Sequence, residues 1–373
     1  MSVRILKVTG KSSLRKFILF PKKLYRDCGN WVPALEGDEY DTFNPRRNGA
    51  FEYCSADCFL ALKDGEIAGR VAAIINHRAN DRWGEATVRF GWLDFIEDQE
   101  VCDALLDAVA EWGRERGCNK LKGPWGFTDM DKEGALVEGY EKLSPFTCLY
   151  NYPYYDRLIA NCGLRKDVDW VQYSVRIDGH LPSAFKYVER LGKESGLHIA
   201  EASSAREMGR KYGLTLFRLY NEAFSPLSQF SPLTDRQIHK YLSTYVPIMS
   251  PKFICVCLDR DEKPVGFAFC VPSLSKAVKK SGGRLLPFGF LRIMRAIRKN
   301  DTLEALLIGV LPEYQSQGVP LIMFKYLHDN CVKFGIKTMI MNPQLESNVK
   351  VQSLFSGFSR DPYMRRRTYV KEI

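Results

Sequence analysis

One order of elements occurs twice along the chain, and no other feature of the sequence narrows the fold as far. In the first half, DGEIAGRVAAIIN (64–76) reads as a polar turn followed by an apolar strand. ALLDAVAEWGRERGCNKLKGP (104–124) then reads as an amphipathic helix, a charged end closed by glycine, and a short strand. In the second half, DEKPVGFAFCVPS (261–273) and IMFKYLHDNCVKFGIKTMIMN (322–342) repeat the turn, strand, helix, glycine stop and strand. The closing segments, 158–177 and 353–373, each give a helix end at glycine, a turn with a basic residue and an aspartate, and a tyrosine-bearing last strand. This alternation predicts two α/β domains, over residues 1–180 and 190–373, joined near DGHLPSAFKYVERLGKESG.

Composition agrees with that division and removes several classes of function. With 373 residues the chain can build two domains with a sizeable core each. A hydrophobic content of 45% and an aromatic content of 12% exclude a disordered chain. The longest charge-free apolar runs, such as ALLIGVLP, fall far short of the ~18 residues of a spanning helix. MSVRILKVTGKSSLRKF has no apolar core ahead of a small-residue cleavage site, so a cytoplasmic location is expected. Eleven cysteines, an odd number, sit among apolar neighbours, with no C-x-x-C pair and no metal-ligand spacing to the five histidines. They read as reduced, mostly buried thiols, and no metal is expected. His77, His180, His198, His239 and His328 lie far apart with no serine or cysteine partner motif, which argues against a nucleophilic triad.

The most informative local stretch is GVLPEYQSQGVPLIMF (309–324). LEALLIGV before it is apolar throughout, as a strand covered on both faces should be. Pro312 ends that strand, and Leu321, Ile322, Phe324, Leu327 and Val332 carry the spacing of a buried helix face. Amides in the first turn of such a helix lack an internal acceptor, and the helix dipole adds positive charge there. An anion fits that place, and Gly318 lets the backbone approach it closely. Pro320 removes one donor, while its fixed φ suits a helix start.

Strand, Q-S-Q-G-V-P turn, helix, then TMIMN and ESN together resemble the core of the GNAT acyltransferase superfamily, over essentially the whole chain as a tandem pair. Each domain would then be a mixed twisted sheet flanked by helices. The family signature is Gln/Arg-x-x-Gly-x-Gly/Ala on the turn after the fourth strand; Gln315 and Gly318 match it and Pro320 departs from it. The resemblance implies that Gln315, Ser316, Gln317, Gly318 and Val319 bind the pyrophosphate of acetyl-CoA or a longer acyl-CoA as co-substrate. Backbone amides near Val310 would polarise the thioester carbonyl, and Asn348 would lie beside the cofactor. Glu304 takes the place of a general base. The tyrosine that commonly protonates the leaving thiolate falls on Phe355, which cannot donate a proton, so Tyr363 or Tyr314 would stand in. In the first half the equivalent turn has no glycine, and Asp94, Glu97, Asp98, Glu100 and Asp103 crowd the helix start, where they would repel a pyrophosphate. That domain is expected to support the second or to form one wall of the acceptor site. NGAFEYC (48–54) and GPWGFTDMDKEGALVEGY (123–140) either line an acceptor pocket or serve as structured loops.

Net charge is +10, and eight basic residues without an acidic one lie between Ser273 and Asn300. They are Lys276, Lys279, Lys280, Arg284, Arg292, Arg295, Arg298 and Lys299. Phe290, Ile293, Met294 and Ile297 share one side of a helical wheel there, and Arg292, Arg295 and Lys299 another. A basic amphipathic helix after GRLLPFGF rests either on an anionic membrane surface, through 284–299, or on its own domain with a solvated basic face. No recognition motif for nucleic acid accompanies the charge. The resulting expectation is an N-acyltransferase acting on a small-molecule or lipid amine, cytoplasmic and peripheral to the inner face of the membrane. Two further readings are a non-catalytic coenzyme A-binding or regulatory protein and an aminoacyl-tRNA-dependent ligase.

Overall fold

The computed structural model describes residues 3–373 apart from 228, 247, 248 and 354–356. In the first half the strands are β1 Arg4–Lys7, β2 Cys54–Lys63, β3 Glu66–Asn76, β4 Thr87–Phe95, β5 Lys120–Gly123, β6 Ala135–Glu138 and β7 Arg165–Arg176. The helices there are α1 Lys11–Leu24, α2 Glu36–Thr42, α3 His77–Trp83, α4 Gln99–Arg114 and α5 Tyr154–Asn161. The second half continues with β8 His198–Ile199, β9 Ile254–Leu258, β10 Pro264–Pro272, β11 Thr302–Val310, β12 Thr338–Ile340, β13 Gln344–Leu345 and β14 Arg360–Glu372. Its helices are α6 Val188–Ser195, α7 Ala205–Ala223, α8 Asp235–Tyr245, α9 Ser275–Ser281, α10 Gly289–Arg298, α11 Val319–Lys333 and α12 Val349–Ser353.

All these strands join one sheet in the order β1-β2-β3-β4-β5-β14-β7-β12-β11-β10-β9-β8, with β6 beside β14 and β13 beside β7. The repeat is visible in its two parallel pairs. β4 runs parallel to β5 from Thr87 to Arg89, and β11 runs parallel to β12 from Thr302 to Glu304. In each half the pairing lasts three residues of a nine-residue strand, so the last six residues form an open edge. That splay leaves backbone groups without a neighbouring strand on one side.

The last strands of the two halves are exchanged, which the repeat alone does not reveal. β7 closes the first half in sequence yet pairs with β12, while β14 pairs with β5. The two exchanged strands also run antiparallel against each other, Arg360 opposite Val175 through to Val370 opposite Arg165. One face of the first half is covered by α4, whose Leu105 and Val109 pack with Val71, Phe90 and Phe95. In the second half α11 plays the same part, with Met323 and Leu327 against Val265 and Leu303. All eleven cysteines are free thiols, and nine of them are buried.

Asp169 on β7 locks the exchange. Its carboxylate, 1% exposed, accepts from Arg367 Nε at 2.9 Å and Nη2 at 3.1 Å, and pairs with Lys166 at 2.9 Å and Arg365 at 3.3 Å. Burial opposes ionisation, but the hydrogen bonds from Arg367 and Lys166 outweigh it and hold the carboxyl below its ordinary value. Asp169→Asn removes one partner of a buried network whose arginines are about a quarter exposed, and it should cost about 2 kcal/mol in a urea titration at pH 7. Because the folded-state value is depressed, that contribution is present above the ordinary carboxylate value. The gap between wild type and variant should therefore close as pH falls below about 4.

Candidate active site

The open edge of β11 is shaped by a bulge. Across β10, Phe269 opposes Leu307 and Cys270 opposes Ala305, so Leu306 is an extra residue. Its insertion lets Leu306 and Leu307 both face a cavity of about 160 Å³. Beyond the bulge, the Leu311 amide donates to the Val265 carbonyl at 3.0 Å. Alternation along the strand then turns the N–H groups of Val310 and Ile308 away from β10, toward the open edge. The Val310 carbonyl, on the same edge, accepts from Gln315 Nε2 at 3.3 Å.

The cavity has two kinds of wall. α7 and α8 contribute Met208, Leu216, Phe217 and Leu242, while the loop between β5 and β6 contributes Asp129 to Glu133. Gly213 thins the α7 wall, since a Cβ there would meet Leu242 Cδ2 at 2.7 Å. Of the two uses open to the 123–140 loop, the structure shows it as a polar wall of the cavity. Asp131 Oδ2 accepts from the Thr128 amide at 3.0 Å, whereas Asp129 Oδ1 and Glu133 Oε2 are buried with no hydrogen-bond partner.

Glu304 lies on the cavity side of β11, two residues before the bulge, and is 2% exposed. Its Oε1 accepts from Ser273 Oγ at 2.6 Å and Ser275 Oγ at 3.0 Å, while Oε2 is buried without a partner. Burial pushes its carboxyl from 4.5 up to about 7, against the two serine hydroxyls and the charge of Lys132. Its ionisation is thus poised where a general base works best. A carboxyl raised on folding favours the native state while protonated and penalises it as pH rises toward the folded-state value. Relative to Glu304→Gln, wild type should lose up to about 3 kcal/mol of stability between about pH 4.5 and about pH 7. Paired urea titrations at pH 4.5, 6 and 8 measure this; a constant gap contradicts the assignment.

At the turn before α11, Gly318 adopts φ +80° and precedes the first helical residue. A Cβ there would meet Leu191 Cδ2 of α6 at 2.1 Å, so packing and backbone conformation demand glycine in addition to any ligand. Pro320 is the second helical residue, where no internal acceptor is lost. The amides of Gln315 and Gln317 donate within the turn, to Pro312 and Tyr314, at 3.4 Å and 3.1 Å. Val319, ahead of the helix's first internal bond from Ile322 to Gly318, carries an amide with helix-start polarity. Ser316 and Gln317 are exposed on the same turn.

The other expected residues are more dispersed. Asn348 caps the approach to α12, its amide donating to Leu345 and its carbonyl accepting from Gln352. Phe355 lies outside the described residues. The Tyr363 hydroxyl donates to the Leu143 carbonyl at 2.7 Å, and burial, then the charge of Glu304, pushes it up to about 12. Tyr314 donates to Asp259 Oδ2 at 3.2 Å, on the far side of the turn.

The first half has the same open edge, and it is closed. Phe95 occupies on β4 the register position that Val310 occupies on β11. The Phe95 amide donates to Tyr155 Oη at 3.0 Å, and Tyr154 Oη donates to the Phe95 carbonyl. Tyr25 fills the space beside them, bonded to Asp94 Oδ1 at 2.8 Å and Tyr155 Oη at 2.9 Å. Arg70 and Lys63 neutralise Asp94 and Asp98.

No protein-family model matches the chain. A tandem GNAT protein from the clavulanic acid biosynthesis pathway superposes with a TM-score of 0.57 at 10% identity, over 100% of this chain and 98% of that one. The chain has the tandem GNAT fold. In sequence it is similar to Protein YghO of Escherichia coli, 26% identical over 98% of this chain and 94% of that one. It is also similar to the bacterial ceramide synthase of Caulobacter vibrioides, 23% identical over 99% of this chain and 97% of the relative. This tandem GNAT fold therefore carries two unlike copies of one cleft, the first plugged by tyrosines and the second open beside a buried carboxylate.

Proposed function

We propose that the protein is an N-acyltransferase that moves an acyl group from acetyl-CoA or a longer acyl-CoA to a primary amine. The observation that carries this reading is the presence, on the strand with the open β11 edge, of Glu304, a buried carboxyl that burial pushes up to about 7. Residues 190–373 form the cofactor-binding domain in this reading, and residues 1–180 the domain that supports it and walls the acceptor side. The co-substrate's thioester supplies the electrophile. Its pyrophosphate suits the positive start of α11, with Gln315, Ser316, Gln317, Gly318 and Val319 around it and Asn348 nearby. The Val310 amide is placed to polarise the acyl carbonyl. Glu304 accepts the proton that the amine sheds as its nitrogen bonds to the acyl carbon, and the thiolate leaves with a proton from Tyr363 or from solvent.

Incubation of the purified chain with acyl-CoA and an amine panel, read by mass spectrometry, tests this. Glu304→Gln should lower kcat at least 100-fold, and Gln317→Glu should raise KM for acyl-CoA about tenfold by charge repulsion. Absence of acylation on every amine sinks the reading. One observation favours a second, non-catalytic coenzyme A-binding role: the Tyr363 hydroxyl is already engaged by the Leu143 carbonyl.

The relative named a ceramide synthase, and the insertion between β10 and β11, support a lipid or long-chain amine met at a membrane surface. α10 packs Ile293 and Ile297 on Val32 and Leu274, so part of the expected apolar face is turned inward. Phe290 points out, together with Leu286, Phe288 and Leu291, each more than half exposed and set among the basic residues. Exposed apolar side chains ringed by cations match an anionic bilayer. No described helix is long and apolar enough to cross a membrane. Flotation with phosphatidylglycerol vesicles should carry wild type, and a variant with Arg292, Arg295, Arg298 and Lys299 changed to Glu should stay behind; equal flotation removes the membrane contact.

A further inference from the structure

The polar wall of the cavity belongs to the half whose own cleft is plugged, and its chemistry does not match the apolar walls around it. Asp129, Asp131 and Glu133 line it together with Lys132. Glu304 on β11 is close enough to Lys132 to feel its charge, and two further cations are near: Arg89, held by the carbonyls of Gly126, Phe127 and Gln229, and the buried Arg366. Three carboxyls of one short loop thus sit with Lys132 and near Arg89 in a low-dielectric space.

With Glu304 counted, three carboxyls have an oxygen that nothing satisfies: Asp129 Oδ1, Glu133 Oε2 and Glu304 Oε2 are buried with no hydrogen-bond partner. Burying an unpaired carboxylate is costly, so an arrangement of several is stable only if protons or a visiting cation compensate them. Burial raises all of them, Asp131 to about 6 and Asp129 to about 7, as in a site waiting for a positive charge. Among the described residues no group of three His, Cys, Asp or Glu side chains converges as metal ligands do. The remaining walls, Met208, Leu216, Phe217, Leu242, Leu306 and Leu307, are apolar. A hydrated metal or a free ammonium ion would gain nothing from them. An organic cation with a hydrocarbon body satisfies both walls at once.

We infer that the loop between β5 and β6 is the recognition element for the acceptor, an alkyl primary ammonium whose head is held by Asp129 and Glu133 and whose chain lies along α7 and α8. This deepens the acyltransferase reading and rests on it for the fate of the amine. The division of labour is clear. Asp131 is tied to its own loop through the Thr128 amide, which fixes the loop's shape. Asp129 and Glu133 keep the free oxygens that bind, and Glu304 lies farther along β11, placed to take the proton once the head is seated. The first half therefore sets which acceptor the second half can use.

Calorimetry on the full chain with octylamine and with octanol tests the assignment, because the two probes share a chain and differ in charge. Wild type should prefer octylamine by tenfold or more. The double variant Asp129→Asn, Glu133→Gln should lose about 10- to 100-fold in octylamine affinity, the range expected for charge-assisted hydrogen bonds, with octanol and coenzyme A affinities unchanged. If the double variant also loses octanol, each single variant decides, and an undiminished amine preference in both overturns the inference. Wild type without a preference for octylamine overturns it as well. Coenzyme A is titrated separately: if it does not bind while the amine preference behaves as described, the acyltransferase reading fails and the recognition element stands.

Discussion

The pairing of β7 with β14 is the contact on which the rest of the molecule depends. These are the two longest strands of the chain, 12 and 13 residues, and each completes the sheet of the half to which it does not belong. A pair of ordinary domains joined by a linker could move apart, but here separation would break the pairings of β7 with β12, β13 and β14 and of β14 with β5 and β6 at once. The charge network around Asp169 adds specificity of register, because a slip of one residue on β14 would carry Arg367 to the opposite face. A loop from the first half can therefore serve as a fixed wall of a cavity in the second.

Rigidity of that kind explains how one repeat can give two unlike clefts. Both halves splay their parallel pair after three residues, and a splayed edge leaves backbone donors and acceptors to be satisfied. In the first half Tyr154 and Tyr155 provide the partners from α5, and Tyr25 completes the plug from α1. These three side chains stabilise the closed edge and exclude any ligand from it. Among the described residues of the second half no such tyrosine pair covers Val310, whose carbonyl accepts from Gln315 instead.

Local features of this architecture were legible in the sequence, and long-range ones were not. Helix stops at Gly117 and Gly335, the strands before them, and the turn at 315–319 follow from residue spacing within a dozen positions, and the structure has them where they were expected. The strand exchange was invisible because both closing strands carry similar residues, so pattern alone cannot say which neighbour each takes. Gly318 was read for one reason and turns out to have a second: its φ and the nearness of Leu191 require glycine whether or not a phosphate binds. The acidic loop was seen, but its placement beside β11 depends on the exchanged strands and could not be inferred. Phe290 shares a helical-wheel face with Ile293 and Ile297, but only the latter two reach the cluster around Val32, and Phe290 at the start of the helix stays exposed.

One further link joins the surface to the chemistry. Ser275, the first residue of α9, donates to Glu304, and its hydroxyl also accepts from the Phe146 amide at 2.9 Å. The hydrogen bond that steadies the carboxylate thus originates in the same insertion that ends in Leu286, Phe288 and Leu291. α9 and α10 pack on each other and on Val32 of the first half. An insertion serving only as an anchor could have left the domain at any loop. This one leaves between β10 and β11, so the segment that carries the exposed Leu286, Phe288 and Leu291 also carries Ser273 and Ser275, which donate to Glu304.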